Sequence, residues 1–232
     1  MTYTVIARCA RTGQLGIGIA TYSLAVGGYC PAIRGSLGAV STQAFVNLKL
    51  GSLALRLLEQ GFAPLKVMAE LTGDDPQFAY RQVGIVDASG GTAAHTGADT
   101  RPWSGHLTGV GYIVMGNVLA GAEVLAAMAA AFEASPGADL DERLLTTLEA
   151  GRDAGGQQTA DGVHLNERSA AVITHMHRDY GHIDLRVDAH EQAVEELRRV
   201  HGIYKPFVPY YQLRHDNPAE TPAQDVWARE NL

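Results

Sequence analysis

Alternation begins at the second residue of this chain and runs through two consecutive segments. Tyr3, Val5, Ala7 and Cys9 fall on one side of the first, and Thr2, Thr4, Ile6 and Arg8 on the other. That is the period-two pattern of a strand. Arg11-Thr12-Gly13-Gln14 has the composition of a turn. A second strand over Leu15–Thr21 sets bulky Leu15, Ile17 and Ile19 on one face and Gly16, Gly18 and Ala20 on the other. A strand with one nearly bare face admits another backbone or a ligand at close range. A hairpin that begins at residue 2 puts Thr2 at the head of a strand.

Beyond the hairpin, residues 24–35 read as glycine-rich and irregular, and 37–45 as a third strand. Two helices follow, near 49–60 and 64–72, with Gly61 closing the first and Pro64 suited to the first turn of the second. Strands return at 81–87 and 92–96 across the turn Ala88-Ser89-Gly90-Gly91. Residues 103–111 read as a loop and 112–116 as a short strand. An alanine-rich helix over 121–134 carries Val124, Leu125, Met128 and Phe132 on one stripe, and a second, over 139–153, starts from Asp139. Segments 167–177 and 183–187 form a last strand pair, and 189–201 an amphipathic helix. Runs of strands followed by runs of helices, without strict β-α alternation, indicate an α+β fold rather than a parallel doubly wound sheet. Two mostly antiparallel sheets with helices on both outer faces fit the count. We expect one domain over 1–201. The extension 202–232 holds four prolines beside Tyr204, Phe207, Tyr210, Tyr211 and Trp227. It is too aromatic for a free linker and is expected to pack on the domain or at a subunit interface.

Composition narrows the function. A 232-residue chain can bury roughly 70–75% of its unfolded surface as one domain. Charged residues make up 19% of it against about 25% in ordinary domains; with the aromatic tail, that favours a homo-oligomer, a dimer in the first instance. The net charge of −7 and the absence of a Lys/Arg run argue against nucleic acid. Cys9 and Cys30 are too few for a disulfide framework or a zinc cluster. No apolar run approaches the ~18 residues of a membrane helix, and the first residues lack the basic and apolar regions of a signal peptide. Membranes are therefore not expected as partners, and the expected location is the cytoplasm. There is no GxxxxGK[ST], no GxGxxG opening a helix and no Gly-x-Ser-x-Gly elbow. Nucleotide-binding and α/β-hydrolase readings fall away, and no cofactor or metal is expected.

A set of segments resembles the family known as domain of unknown function 1028. It comprises 2–7 (TYTVIA), Gly13-Gln14-Leu15-Gly16, Ala25-Val26-Gly27, 38–45 with Asn47, Arg81-Gln82-Val83-Gly84, Ala94-His95-Thr96-Gly97, Gly116-Asn117 and Asp184-Leu185-Arg186-Val187-Asp188. The resemblance spans about 2–201. It implies a helix–sheet–sheet–helix sandwich like that of the N-terminal-nucleophile (Ntn) hydrolases, and chemistry only by analogy. Gly155-Gly156-Gln157 stands where the family pattern has Gly-Gly-Asp, and Arg168 where it has Gln. Residues 158–166 look like an altered loop.

In Ntn hydrolases the first residue of the mature chain is a Thr, Ser or Cys heading a strand. Its hydroxyl or thiol attacks a carbonyl, and its own α-amine is the base. An α-amine titrates at roughly 7.7–8.0, so a useful share is neutral near pH 7 and no His is required. The resemblance makes Thr2 the candidate nucleophile once Met1 is removed, with a small amide or peptide-like bond as substrate. Thr42, Gln43, Asn47 and Asn117 are the candidate donors to a developing oxyanion. Thr21 and Ser23 sit where proteasome-like members place polar partners. Arg34 and Lys49 are the nearest basic residues in sequence, and pocket walls are expected from loops 22–36 and 98–111.

Two readings compete. A chain that keeps Met1 cannot use the Thr2 amine, which makes a non-catalytic ligand-binding or scaffold protein the first alternative. A metal site is the second: residues 175–190 hold His175, His177, His182 and His190 with three Asp, and His175 and His177 share a strand face.

Overall fold

The computed structural model describes residues 1–176 and 182–232. The opening hairpin forms as its alternation requires: β1 (Thr2–Arg8) pairs antiparallel with β2 (Leu15–Thr21). β3 (Pro31–Arg34) and β4 (Gly38–Ala44) follow, then α1 (Leu48–Glu59) and α2 (Pro64–Asp74). β5 (Arg81–Asp87), β6 (Thr92–Thr96), β7 (Ser104–Gly109) and β8 (Tyr112–Asn117) lead into α3 (Ala122–Ala134) and α4 (Leu140–Asp153). A minor two-stranded pair, β9 (Gln157–Gln158) and β10 (His164–Leu165), precedes β11 (Ser169–His175) and β12 (Ile183–Val187). The chain ends with α5 (Ala193–Tyr204), α6 (Val208–Asp216) and α7 (Gln224–Asn231).

The strands form a six-stranded sheet, β12-β11-β2-β1-β8-β7, and a four-stranded sheet, β3-β4-β5-β6, with every neighbouring pair antiparallel. Three apolar clusters set the layers. Tyr3, Val5 and Ala7 pack against Leu125, Met128, Leu144 and Leu148 of α3 and α4, and Leu197 of α5 joins them. Ile6, Ile17, Ile19, Ile113, Met115 and Ile173 meet Ala39 and Val86 between the two sheets. Val40, Val83 and Ile85 face Leu50, Ala54, Val67 and Leu71 of α1 and α2. The fold is thus the αββα, Ntn-hydrolase-like sandwich. Each side of β1 lands where its alternation sends it.

The bare face of β2 is occupied by α4. A Cβ on Gly16 would stand 2.6 Å from Leu144 Cδ1, and one on Gly18 would stand 3.3 Å from the Leu144 carbonyl oxygen. Glycine here lets the helix sit on the strand backbone.

Several elements differ from the sequence reading. Residues 104–109 form a strand rather than a loop. SGHLTG lacks β-branched alternation, and what holds it is one-sided pairing with β8 at the sheet edge. The stretch 24–35 contains a 3-10 turn at Val26–Gly28 and the strand β3. The amphipathic helix begins at Ala193 and runs to Tyr204, past the expected boundary at 201. The aromatic tail is largely helical. Tyr210 is buried and donates its hydroxyl to the Pro222 carbonyl at 3.1 Å, with Trp227 5.3 Å from its ring. Tyr204 and Val208 pack on the cluster beneath α5. Among the described residues no helix is long and apolar enough to cross a membrane.

Candidate active site at the head of the first strand

Register carries one row of small polar residues across the large sheet. Ser169 of β11 lies opposite Thr21 of β2, Thr21 opposite Thr2, Thr2 opposite Asn117 of β8, and Asn117 opposite Ser104 of β7. On each of the first four strands the residue two further along the same face, Ala171, Ile19, Thr4 or Met115, points between the sheets. Ala171, Ile19 and Met115 belong to the inter-sheet core, and Thr4 donates to Gln43 of the opposite sheet at 2.6 Å. The row therefore caps the inter-sheet core with hydroxyls and an amide.

Thr2 and Thr21 are buried, their hydroxyl oxygens 3.2 Å apart. Both hydroxyls donate to the Met1 carbonyl, Thr2 at 2.6 Å. The Met1 amine donates to Asn117 Oδ1 at 2.6 Å. Burial, and then the charge of Arg101, brings that amine from its ordinary 8.0 down to about 6. An amine so placed is mostly neutral at pH 7. Cys30 lies close enough to be felt by the amine, but burial lifts its thiol to about 12, which leaves it an unreactive apolar neighbour.

Behind the row lies a buried amide network. Gln43 Nε2 donates to Gln82 Oε1 at 2.7 Å, and Asn117 Nδ2 donates to the same oxygen at 3.0 Å. Gln82 Nε2 donates in turn to Thr96 Oγ1 and to the carbonyls of Gly105 and Gly116. Asn117 is thus oriented from the opposite sheet, and its oxygen is left for the amine. The residue after it, Val118, has φ 56°, a strained value for a β-branched side chain. It is held there by Val118 N–H to the Arg101 carbonyl (3.2 Å) and Gln158 N–H to its own carbonyl (3.0 Å). Strain maintained this way clusters at functional sites.

Residues 2–197 match the family described as a family of unknown function, DUF1028. The chain belongs to that family. Among solved structures, this DUF1028 chain is similar to protein SPO2555 from Silicibacter pomeroyi, a DUF1028 crystal structure. The two share 30% identity at a TM-score of 0.79, over 88% of this chain and 86% of that one. Fainter likenesses are to eukaryotic HslV from Trypanosoma brucei (10% identity, TM-score 0.44, 74% and 98% of the two chains) and to Anbu, ancestral beta-subunit, from Yersinia bercovieri (11%, 0.42, 95% and 98%). Both are too distant to bear on mechanism. Comparison with curated proteins gives no match.

The DUF1028 fold brings Thr2, Thr21 and Asn117 together and joins Gln43 to them through Gln82 and Asn117. Ser23 is exposed at the rim, where its amide donates to Thr21 Oγ1 at 3.2 Å. Thr42 lies beside Val40 on the face of β4 that looks at α1, away from Gln43, with its hydroxyl buried and without a hydrogen-bond partner among the described residues. Asn47 caps α1 through Lys49 N–H (3.2 Å) and donates to Asp75 at 2.9 Å. The Arg81 hydrogen bond, foremost, holds that carboxyl down to about 2. Arg34 pairs with Glu59, and Lys49 sits on the exposed first turn of α1.

The sequence reading did not single out Gln82, Ser169 or Arg101 for the site, and noted Arg168 only as a departure from the family pattern. Gln82 could have been found: in RQVGIVD it alternates with Gly84 and Val86 on a buried face, where an amide must have partners.

Of the histidine segment, His177 and Asp179 lie outside the described residues. His175 is opposite Leu15 at the far end of β11, whereas the His190 amide bonds the Arg168 carbonyl at the near end. The seven residues between those ends span roughly 23 Å, so those two cannot share an ion. Asp184 is engaged by Arg186 at 2.6 Å.

Proposed function

We propose that this protein is an Ntn-type amidohydrolase that cleaves a small amide or peptide-like bond with Thr2 after removal of Met1. The observation that carries the reading is the environment of Thr2: a buried hydroxyl 3.2 Å from Thr21 Oγ1, opposite Asn117, at the inter-sheet end of β1. In the chain with Met1, the Met1 carbonyl stands in for a substrate carbonyl and draws both hydroxyls to its oxygen. In the processed chain the Thr2 amine succeeds the Met1 amine beside Asn117. It takes the proton of the Thr2 hydroxyl as Oγ1 attacks the substrate carbonyl carbon. Thr21 donates to the oxyanion, and the same amine protonates the leaving nitrogen; water then releases the acyl group from Thr2. Gln43 and Gln82 position Asn117. Ser23, Thr42 and Asn47 have lesser parts in this reading, at the rim, behind β4 and in capping α1.

We take residues 1–201 as the hydrolase domain and 202–232 as an extension that packs on it and contributes to a homo-oligomer. The free thiols of Cys9 and Cys30 support a location in the cytoplasm. A non-catalytic binding protein on the same fold is the second reading, favoured wherever Met1 is retained.

The test is the intact mass of the untagged protein from its native source, followed by an amide-substrate screen. Met1 should be absent. Thr2→Ala should then lose turnover by at least about a hundredfold, since nucleophile and base act as a unit, with an unchanged melting temperature, and Thr2→Ser should keep measurable turnover. Full retention of Met1 on the native protein, or turnover that survives Thr2→Ala, sinks the mechanism.

A further inference from the structure

Two guanidinium groups flank the polar row without a carboxylate of their own. Most of the arginines are paired to acids: Arg34 with Glu59, Arg81 with Asp75, Arg186 with Asp184, Arg198 with Glu142 and Glu149. Arg101 and Arg168 make no ion pair among the described residues, in a chain whose net charge is −7.

Both are nevertheless held in place. The Arg101 carbonyl is tied to the Val118 amide, next to Asn117, and its guanidinium carbon lies 5.5 Å over the Phe45 ring. Phe45 meets Tyr80 edge-on at 5.6 Å, and its carbonyl accepts from Arg81 Nη1 at 2.6 Å. On the other flank, the Arg168 amide donates to the Thr21 carbonyl at 2.8 Å and its guanidinium lies 4.7 Å over the Tyr22 ring. The acid beside it in sequence, Glu167, is buried and takes Gln157 Nε2 at 3.3 Å. A guanidinium stacked on a ring keeps its edge N–H groups for one planar anion, a carboxylate taken two bonds at a time. The two cations stand on either side of the polar row with no carboxylate paired to them among the described residues, and a bound carboxylate offsets their charge.

We propose that Arg101 is a carboxylate-recognition residue of this site, with Arg168 as a second cation on the opposite rim, so that the amide it takes carries a free carboxylate. The reaction rests on the hydrolase reading; the recognition does not. Arg101 sets specificity and takes no part in bond breaking, so its loss raises KM for anionic amides and leaves kcat nearly unchanged.

The probes are glutaramate, which has one amide and one carboxylate, its neutral counterpart glutaramide, and the pair glycylglycine and glycylglycinamide. Binding to the full-length Met1-free protein is followed by isothermal titration. Glutaramate, or glycylglycine if the carboxylate belongs to the leaving group, should bind at least about tenfold more tightly than its neutral counterpart, a charged contact being worth that much. The preference should vanish in Arg101→Gln, persist in part in Arg101→Lys, and weaken in salt. Thr2→Ala should keep the preference while losing turnover, which separates this inference from the hydrolase reading. Equal binding of both members of each pair, binding of none of them, or a preference untouched by Arg101→Gln overturns it.

Discussion

Gln82→Leu tests whether the amide network behind the row holds the two sheets in register. Gln82 is fully buried. Its oxygen accepts from Gln43 at 2.7 Å and from Asn117 at 3.0 Å, and its nitrogen donates to Thr96 Oγ1 and two backbone carbonyls. Leucine fills the same space and offers none of these bonds. At least two buried amide donors, on Gln43 and Asn117, lose their acceptor. At about 1–3 kcal/mol for each buried group left unsatisfied, the loss is about 2–6 kcal/mol. For a chain of this size each kcal/mol moves Tm by about 2–4 °C, so a loss near the middle of the range lowers Tm by about 8–16 °C. Urea unfolding followed by far-ultraviolet circular dichroism measures it, with the slope of the transition unchanged. The partner Gln43→Leu shares the Gln43–Gln82 bond but also strips the buried Thr4 hydroxyl of its acceptor, so the two together should cost less than the sum of the singles, and a double-mutant cycle should show clear coupling. A loss below about 1 kcal/mol, or strict additivity of the two substitutions, would refute the reasoning.

Other consequences follow from single features. In protein that keeps Met1, the amine that titrates at 8.0 when unfolded is held near 6 when folded; the unfolded chain therefore takes up a proton first, and stability falls by at most about 3 kcal/mol as pH drops from 8 to 6. Acetylating Met1 should abolish that slope, and identical pH profiles for the two forms would contradict it. Gly16→Ala puts a methyl 2.6 Å from Leu144 Cδ1 and should cost about 1–3 kcal/mol, whereas Gly73→Ala, in α2 with open space around it, should stabilise by up to about 1 kcal/mol; opposite signs in thermal melts are the check. Asp141 is buried between His201 Nε2 at 2.6 Å and Lys205 Nζ at 2.7 Å. Asp141→Ala leaves buried His201 Nε2 without its acceptor and Lys205 with only exposed Asp139 at 3.1 Å, and should cost about 1–3 kcal/mol, with faster proteolysis beyond residue 205 as the local readout.

The sequence determined the local grammar of this protein. Period-two alternation over 2–9 assigned each residue of β1 to its side, and the packing clusters confirm the assignment. Glycines 16 and 18 announced a close approach before α4 was known to make it. The αββα order could be read from the succession of runs, and the place of Thr2 at the head of β1 from its alternation. Segments whose form depends on a neighbour were not legible. β7 has no pattern of its own and is a strand because β8 offers an edge. Thr42 and Gln43 are adjacent in sequence, yet pleating sends one toward α1 and the other toward the site. Tertiary structure alone brought Asn117 beside the Thr2–Thr21 pair and tied the Arg101 carbonyl to the residue after Asn117, because these groups belong to distant strands and a loop. Their proximity follows from cross-strand register and from two sheets closing over a shared core, and no local signal encodes either.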